Sequence, residues 1–110
     1  MFRVIETETY QKEVLKWEKP YREAAEKLRY KLKESPFSGK PLGYRFLREK
    51  KIKEKRVYYF VYDDLALVLI VATSGKKDQQ ATIDHMKDKL HGFRELAEKI
   101  TKQLPQIDPS

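Results

Sequence analysis

The sequence predicts an α+β fold in which a short antiparallel sheet is flanked by an N-terminal helical hairpin and a C-terminal helix. Three observations carry this expectation. Apolar residues recur at helical spacing up to Leu32 and again from Ile83 to Leu104. Between them, from Tyr44 to Thr73, the pattern changes to short runs rich in aromatic and β-branched residues, broken by polar turns. The segment 36–43, which holds Pro36, Gly39, Pro41 and Gly43, reads as the loop separating the two regimes.

Taken in order, Phe2 to Ile5 suits a short first strand. A helix follows, capped by Thr7 or Thr9, with Tyr10, Val14 and Trp17 along one side. Pro20 fits the first turn of a second helix and would break a continuous one. Tyr21, Ala24, Ala25, Leu28 and Leu32 form its apolar stripe, and Ser35 with Pro36 ends it. Three strands are then expected as a meander over Tyr44–Ile52, Arg56–Tyr62 and Ala66–Thr73, turning at Lys53-Glu54 and at Asp63-Asp64. Leu65 to Ala72 is apolar on both faces, as a central strand covered on two sides should be. Asp78 is placed to cap a last helix from Gln79, with Ile83, Met86, Leu90, Phe93, Ala97, Ile100 and Leu104 on one stripe. That stripe would serve a coiled-coil seam or a helix lying on its own sheet, and the second is the simpler use. Gly92 weakens its middle and is a place where the helix would split in two. Residues 105–110 are expected to fray.

The length of 110 residues suits a single domain. Lys and Arg outnumber Asp and Glu by 24 to 17, a net charge of +7, which favours a polyanion or an acidic protein as partner. The absence of cysteine excludes disulfides, thiolate catalysis and zinc-thiolate sites. His85 and His91 alone cannot build a metal site, so neither metal nor cofactor is expected. The N-terminal segment lacks a signal-like apolar run, and no apolar stretch would span a bilayer, so a cytoplasmic location away from membranes is expected. Abundant Lys and Glu with no Cys also suit a thermophile.

The turns bring distant cations together. A turn at Lys53-Glu54 sets Lys51 opposite Arg56, and the loop Ser74–Lys77 then hangs over the same end of the sheet. Lys51, Lys53, Lys55, Arg56, Lys76 and Lys77 are expected to converge there, with Arg48 and Lys50 further along the strand. Tyr58 and Tyr62 share the face of Arg56 by alternation. Phosphates are the natural guests of such a cluster, and Tyr58 beside them would stack on splayed bases. A solvated basic edge that discourages strand pairing is the plainer alternative.

The run from Phe46 to Tyr62 (FLREKKIKEKRVYYFVY) resembles a basic strand, a turn and an Arg-Val-x-Tyr strand of the RelE/ParE toxin superfamily. Leu67 to Lys77 (LVLIVATSGKK) looks like the apolar strand of that family running into its Gly-Lys-Lys loop, and Ser35-Pro36, Gly39 and Leu42-Gly43 match its lead-in. The resemblance implies a RelE-like fold and ribosome-dependent cleavage of messenger RNA, in which a ribose 2′-hydroxyl attacks the adjacent phosphate without a metal. It also implies an acidic antitoxin, held in a hetero-oligomer. On this pattern Arg56 matches the strand arginine, Lys77 the basic residue after the Gly-Lys pair, and Lys51 a basic residue of the preceding strand, with Arg48 an alternative. Lys50, Lys53, Lys55, Lys76 and Tyr58 would contact RNA. Two positions depart from the pattern. Ile83 stands where the family has a helix tyrosine, for which His85 or Tyr58 would have to substitute. Glu49 stands close to a position that is otherwise basic. These departures keep open a ParE-like toxin that inhibits a topoisomerase without catalysis, or a degenerate module that only binds a partner.

Overall fold

Pairing of three strands in the middle of the chain organises the molecule. The computed structural model describes residues 1–104. It contains β1 (Arg3–Glu6), α1 (Glu8–Leu15), α2 (Lys19–Glu34), β2 (Lys40–Pro41), β3 (Leu47–Ile52), β4 (Lys55–Tyr62), β5 (Leu67–Ser74), α3 (Gln79–Asp88) and α4 (Leu90–Gln103). A 3-10 turn at Asp63–Leu65 joins β4 to β5. The tail expected to fray, 105–110, lies outside the described residues.

The strands form one sheet in the order β1-β5-β4-β3-β2. The antiparallel meander β3-β4-β5 and the short N-terminal strand β1 are as expected, but β2 is an additional strand and the sheet is mixed rather than antiparallel. β1 runs parallel to β5, with Arg3 opposite Leu67 and Glu6 opposite Ile70. Two helices and three strands separate β1 from β5 in sequence, so no tight turn forces an antiparallel sense. The expected loop 36–43 contributes β2, where Lys40 faces Glu49 and Pro41 faces Arg48. Proline is tolerated there because an edge strand can spare a donor. β3 starts later than the expected Tyr44. Leu42 N–H reaches Leu47 O at 2.9 Å and Leu47 N–H reaches Tyr44 O at 3.3 Å, folding 42–47 into a turn.

The helices follow their local signals with two exceptions. Thr7, not Thr9, caps α1 by accepting from Tyr10 N–H at 3.3 Å. Pro20 sits in the first turn of α2. The last helix breaks at Lys89, whose N–H turns back to Met86 O at 3.2 Å, three residues before the suspected Gly92. Asp78 does not cap α3 with its side chain. Its backbone lies at φ −102°, ψ 13° rather than in the extended region a capping residue needs, and its carboxylate accepts from Gly75 N–H at 2.8 Å instead.

Each face of the sheet is covered by helices. On one side Trp17, Leu28 and Leu32 of the first two helices pack with Val57, Tyr59, Val68 and Ile70. On the other, Ile83, Met86 and Ala97 pack with Leu47, Tyr58, Phe60 and Leu69. β5 thus buries both faces, as its unbroken apolar run predicts. α4 is attached more lightly. Ala97 is its fully buried residue, and Arg94 ties it to the β4–β5 turn through Asp64 at 2.9 and 2.6 Å. Among the described residues no helix is long and apolar enough to cross a membrane.

Gly39 closes the β2 edge against the sheet. A Cβ there would stand 2.6 Å from both Glu49 O and the Tyr59 hydroxyl, which itself accepts from Gly39 N–H at 3.0 Å. Gly39→Ala is therefore expected to destabilise the fold by about 1–3 kcal/mol, the usual range for overpacking. A urea midpoint equal to that of the wild type would contradict this crowding.

Candidate nucleic-acid interface and catalytic site

The site grows from strand register. Across the β3–β4 hairpin Lys51 lies opposite Arg56 and Glu49 opposite Tyr58. On the other side of β4, Arg56 lies opposite Ser74 and Tyr58 opposite Ala72. That second register depends on a bulge. Tyr58 pairs with Ala72 but Tyr59 pairs with Ile70, so Val71 is an extra residue in β5. The insertion shifts face alternation by one and turns Ser74 onto the side of Arg56 and Tyr58. Lys53 takes the tight turn with positive φ (53°).

A polar network occupies this end, under the start of α3. Arg56 and Glu49 are both buried, 9% and 8% exposed. The Arg56 Nε stands 3.7 Å from Glu49 Oε1, within ion-pair range but beyond hydrogen-bond length, and it has no hydrogen-bond partner. Gln79 Nε2 donates to both Glu49 oxygens, at 3.1 and 3.0 Å. The Tyr58 hydroxyl and Ser74 Oγ share a hydrogen bond of 2.8 Å. Burial, with the Glu49 charge adding to it, pushes the Tyr58 phenol up to about 12, against the opposing pull of Ser74 and Arg56.

Not all the expected cations gather here. Lys51, Lys76 and Lys77 are exposed around the network and make no ion pair among the described residues. Arg48 is on the opposite face, because it is one residue out of phase with Glu49 and Lys51. Its Nε and Nη2 donate to Gly39 O at 3.0 and 2.7 Å, its Nη1 donates to Arg45 O at 2.8 Å, and it lies over the Phe37 ring. Its guanidinium is used up as structural glue. Lys50 shares that face, where burial first and Lys31 second lower its pKa. Lys53 and Lys55 turn toward Tyr21 and Trp17, so the hairpin tip splits its charge between two sides. Tyr58 is completely buried, so it cannot stack on a base as expected. His85 is exposed in a groove between α1 and α3 with Thr9, Glu13, Thr73 and Thr82, which Arg56 does not line. Ile83 is core.

Sequence reasoning missed Gln79 and Ser74 and gave Glu49 no role. Glu49 was within reach, since alternation back from Lys51 places it on the Arg56 face. Ser74 was not, because nothing local marks the bulge. No group of three or more His, Asp or Glu among the described residues is placed to hold a metal ion. A groove of about 450 Å³ lies at the far end of β4. Phe46, Val61, Tyr62 and Leu90 line it, and the Arg45–Asp63 and Arg94–Asp64 ion pairs rim it.

No protein-family model and no curated protein sequence matches the chain. Solved structures do. The chain superimposes on E. coli RelE in a double-mutant free state with a TM-score of 0.63 and 23% identity, over 76% of this chain and 90% of that one. The intact E. coli RelBE toxin–antitoxin complex matches at 0.61 and 23%, over 68% and 96%. The isolated E. coli RelE toxin matches at 0.60 and 21%, over 74% and 96%. The architecture is that of a small α+β protein with a helix-covered mixed sheet. More narrowly, it is the RelE-like toxin fold.

The buried phenol has a measurable consequence. Because its folded pKa is raised, Tyr58 contributes stability that is complete below the ordinary value of 10 and is lost as pH rises toward about 12. The ultraviolet difference titration of wild type against Tyr58→Phe is expected to show this tyrosine ionising near 12. Ionisation near 10 would mean that the phenol reaches solvent.

Proposed function

We propose that this protein is the toxin of a toxin–antitoxin pair and cleaves messenger RNA on the ribosome, in the cytoplasm. The observation that carries the reading is the gathering of Lys51, Arg56, Lys76 and Lys77 at one end of a RelE-like sheet. Cleavage by 2′-hydroxyl attack needs no metal, but negative charge builds on the phosphate as the bond to phosphorus forms. Cations held in position beforehand stabilise that charge. Arg56 is fixed by the sheet, and the exposed lysines around it suit a polyanion entering from solvent. The net charge of +7 draws the chain toward the ribosome over longer range.

The partner in this reading is an acidic antitoxin with an amphipathic segment that orders on binding, forming a toxin–antitoxin hetero-oligomer. The lightly buried α4 is the element such a segment would cover or displace, since its own Leu90, Phe93 and Ile100 are only partly buried against the core. The similar E. coli RelBE structure is a toxin–antitoxin complex, which favours a partner of this kind.

A second reading has an observation of its own. Glu49 beside Arg56 offsets part of the positive charge, and the buried Ile83 offers no proton to transfer. Both fit a toxin that acts by binding alone, as a topoisomerase inhibitor or as a catalytically degenerate partner module.

Translation with purified ribosomes, followed by mapping of messenger ends, separates the two. Cuts inside codons are expected, and Arg56→Ala and Lys77→Ala should each slow cutting by about 10²–10³-fold, the usual effect of losing a group that stabilises developing charge. Intact messenger together with inhibited DNA supercoiling would overturn cleavage in favour of binding.

A further inference from the structure

Attack by a 2′-hydroxyl needs a group to take its proton, close to the cation that holds the phosphate. The residues expected for that role are badly placed. His85 lies in the α1–α3 groove, Tyr58 is a buried phenol bonded to Ser74, and Ile83 has no polar atom. One carboxylate stands beside Arg56, and it belongs to Glu49.

Its geometry is that of a positioned acceptor rather than of a simple counter-charge. A carboxylate that merely neutralised an arginine would close on it in a forked pair at about 2.7–2.9 Å. Here Oε1 remains 3.7 Å from Arg56 Nε, and that buried N–H has no hydrogen-bond acceptor. Arg29 Nε, on α2, is likewise unpaired, but the Arg56 donor stands beside a carboxylate and opposite the exposed Lys51, where an incoming phosphate oxygen would be drawn. Glu49 is meanwhile oriented from the opposite side by Gln79, which donates to both of its oxygens. A phosphate oxygen received by Arg56 would bring the adjacent ribose within reach of the carboxylate.

We infer that Glu49 is the proton acceptor for 2′-hydroxyl attack, with Gln79 as its positioning residue. This rests on the cleavage reading above. The 2′ oxygen bonds to phosphorus while its proton passes to a Glu49 oxygen. The phosphorus–5′-oxygen bond breaks, its electron pair leaves with the 5′ oxygen, and that oxygen takes a proton from water. The products are a 2′,3′-cyclic phosphate and a 5′-hydroxyl, and Glu49 returns its proton to solvent.

Single-turnover cleavage of messenger on purified ribosomes tests the assignment. Glu49→Gln is expected to lower the rate at saturation by about 10²-fold or more, with ribosome affinity changed by less than about threefold. Added formate is expected to restore part of the rate to Glu49→Ala. Should these variants fail to fold, Glu49→Asp keeps the charge and moves it back by one carbon. It is expected to fold and to cut about tenfold or more slowly. Cleavage by Glu49→Gln or Glu49→Asp at the wild-type rate overturns the inference while leaving the proposed nuclease intact. Faster cleavage by Glu49→Gln also overturns it, since Glu49 would then be screening Arg56. A wild-type protein that cuts nothing overturns both together.

Discussion

Arg56 sits between two strands that fix it from both sides, with Lys51 across one ladder and Ser74 across the other. Nearly everything of functional interest follows from that placement. The turn at Lys53 and Glu54 sets the first pairing, and the bulge at Val71 sets the second. Without the bulge, alternation along β5 would direct Thr73 rather than Ser74 to this face, and the bulkier, β-branched threonine would stand where Ser74 now meets the Tyr58 hydroxyl. One inserted residue therefore decides the polar lining of the site.

Burying an arginine and a glutamate together is costly unless their remaining groups are satisfied. This network satisfies them unevenly. Glu49 is well provided by Gln79, Tyr58 and Ser74 satisfy each other, and the Arg56 Nε is left over. Elsewhere the same chemistry is handled differently. Arg48, one residue before Glu49 and on the other face, spends all its forks on backbone carbonyls of Gly39 and Arg45. Two arginines of similar burial thus do opposite work. One is a closed structural brace, and the other keeps an unpaired Nε. The exposed Lys76 and Lys77 follow directly on the strand that pairs with Arg56.

Much of the fold was legible along the chain. The helical stripes, a threonine cap at position 7 or 9, the Pro20 start of α2, the meander and the doubly apolar β5 all rest on periods and turn residues that act over a few positions. The Lys51–Arg56 pairing was legible for the same reason, because a two-residue turn dictates its own register. The site was less so. Arg48, Lys50 and Lys51 look alike in a string, yet alternation sends them to different faces. The burial of Tyr58 depends on which helices cover that face, and its position in the string carries no sign of it.

What the sequence determined by itself is local: where helices start, where strands turn, and which cation faces which across the hairpin. Its charge excess also determined the kind of partner to expect. The tertiary structure alone decided the parallel docking of β1, the break at Lys89, the bulge, and the meeting of Glu49 with Gln79 thirty residues away. The physical reason is range. Turn chemistry and side-chain periodicity act between near neighbours, whereas these features arise from packing between segments far apart in the chain, where small differences in burial select one arrangement over its alternatives.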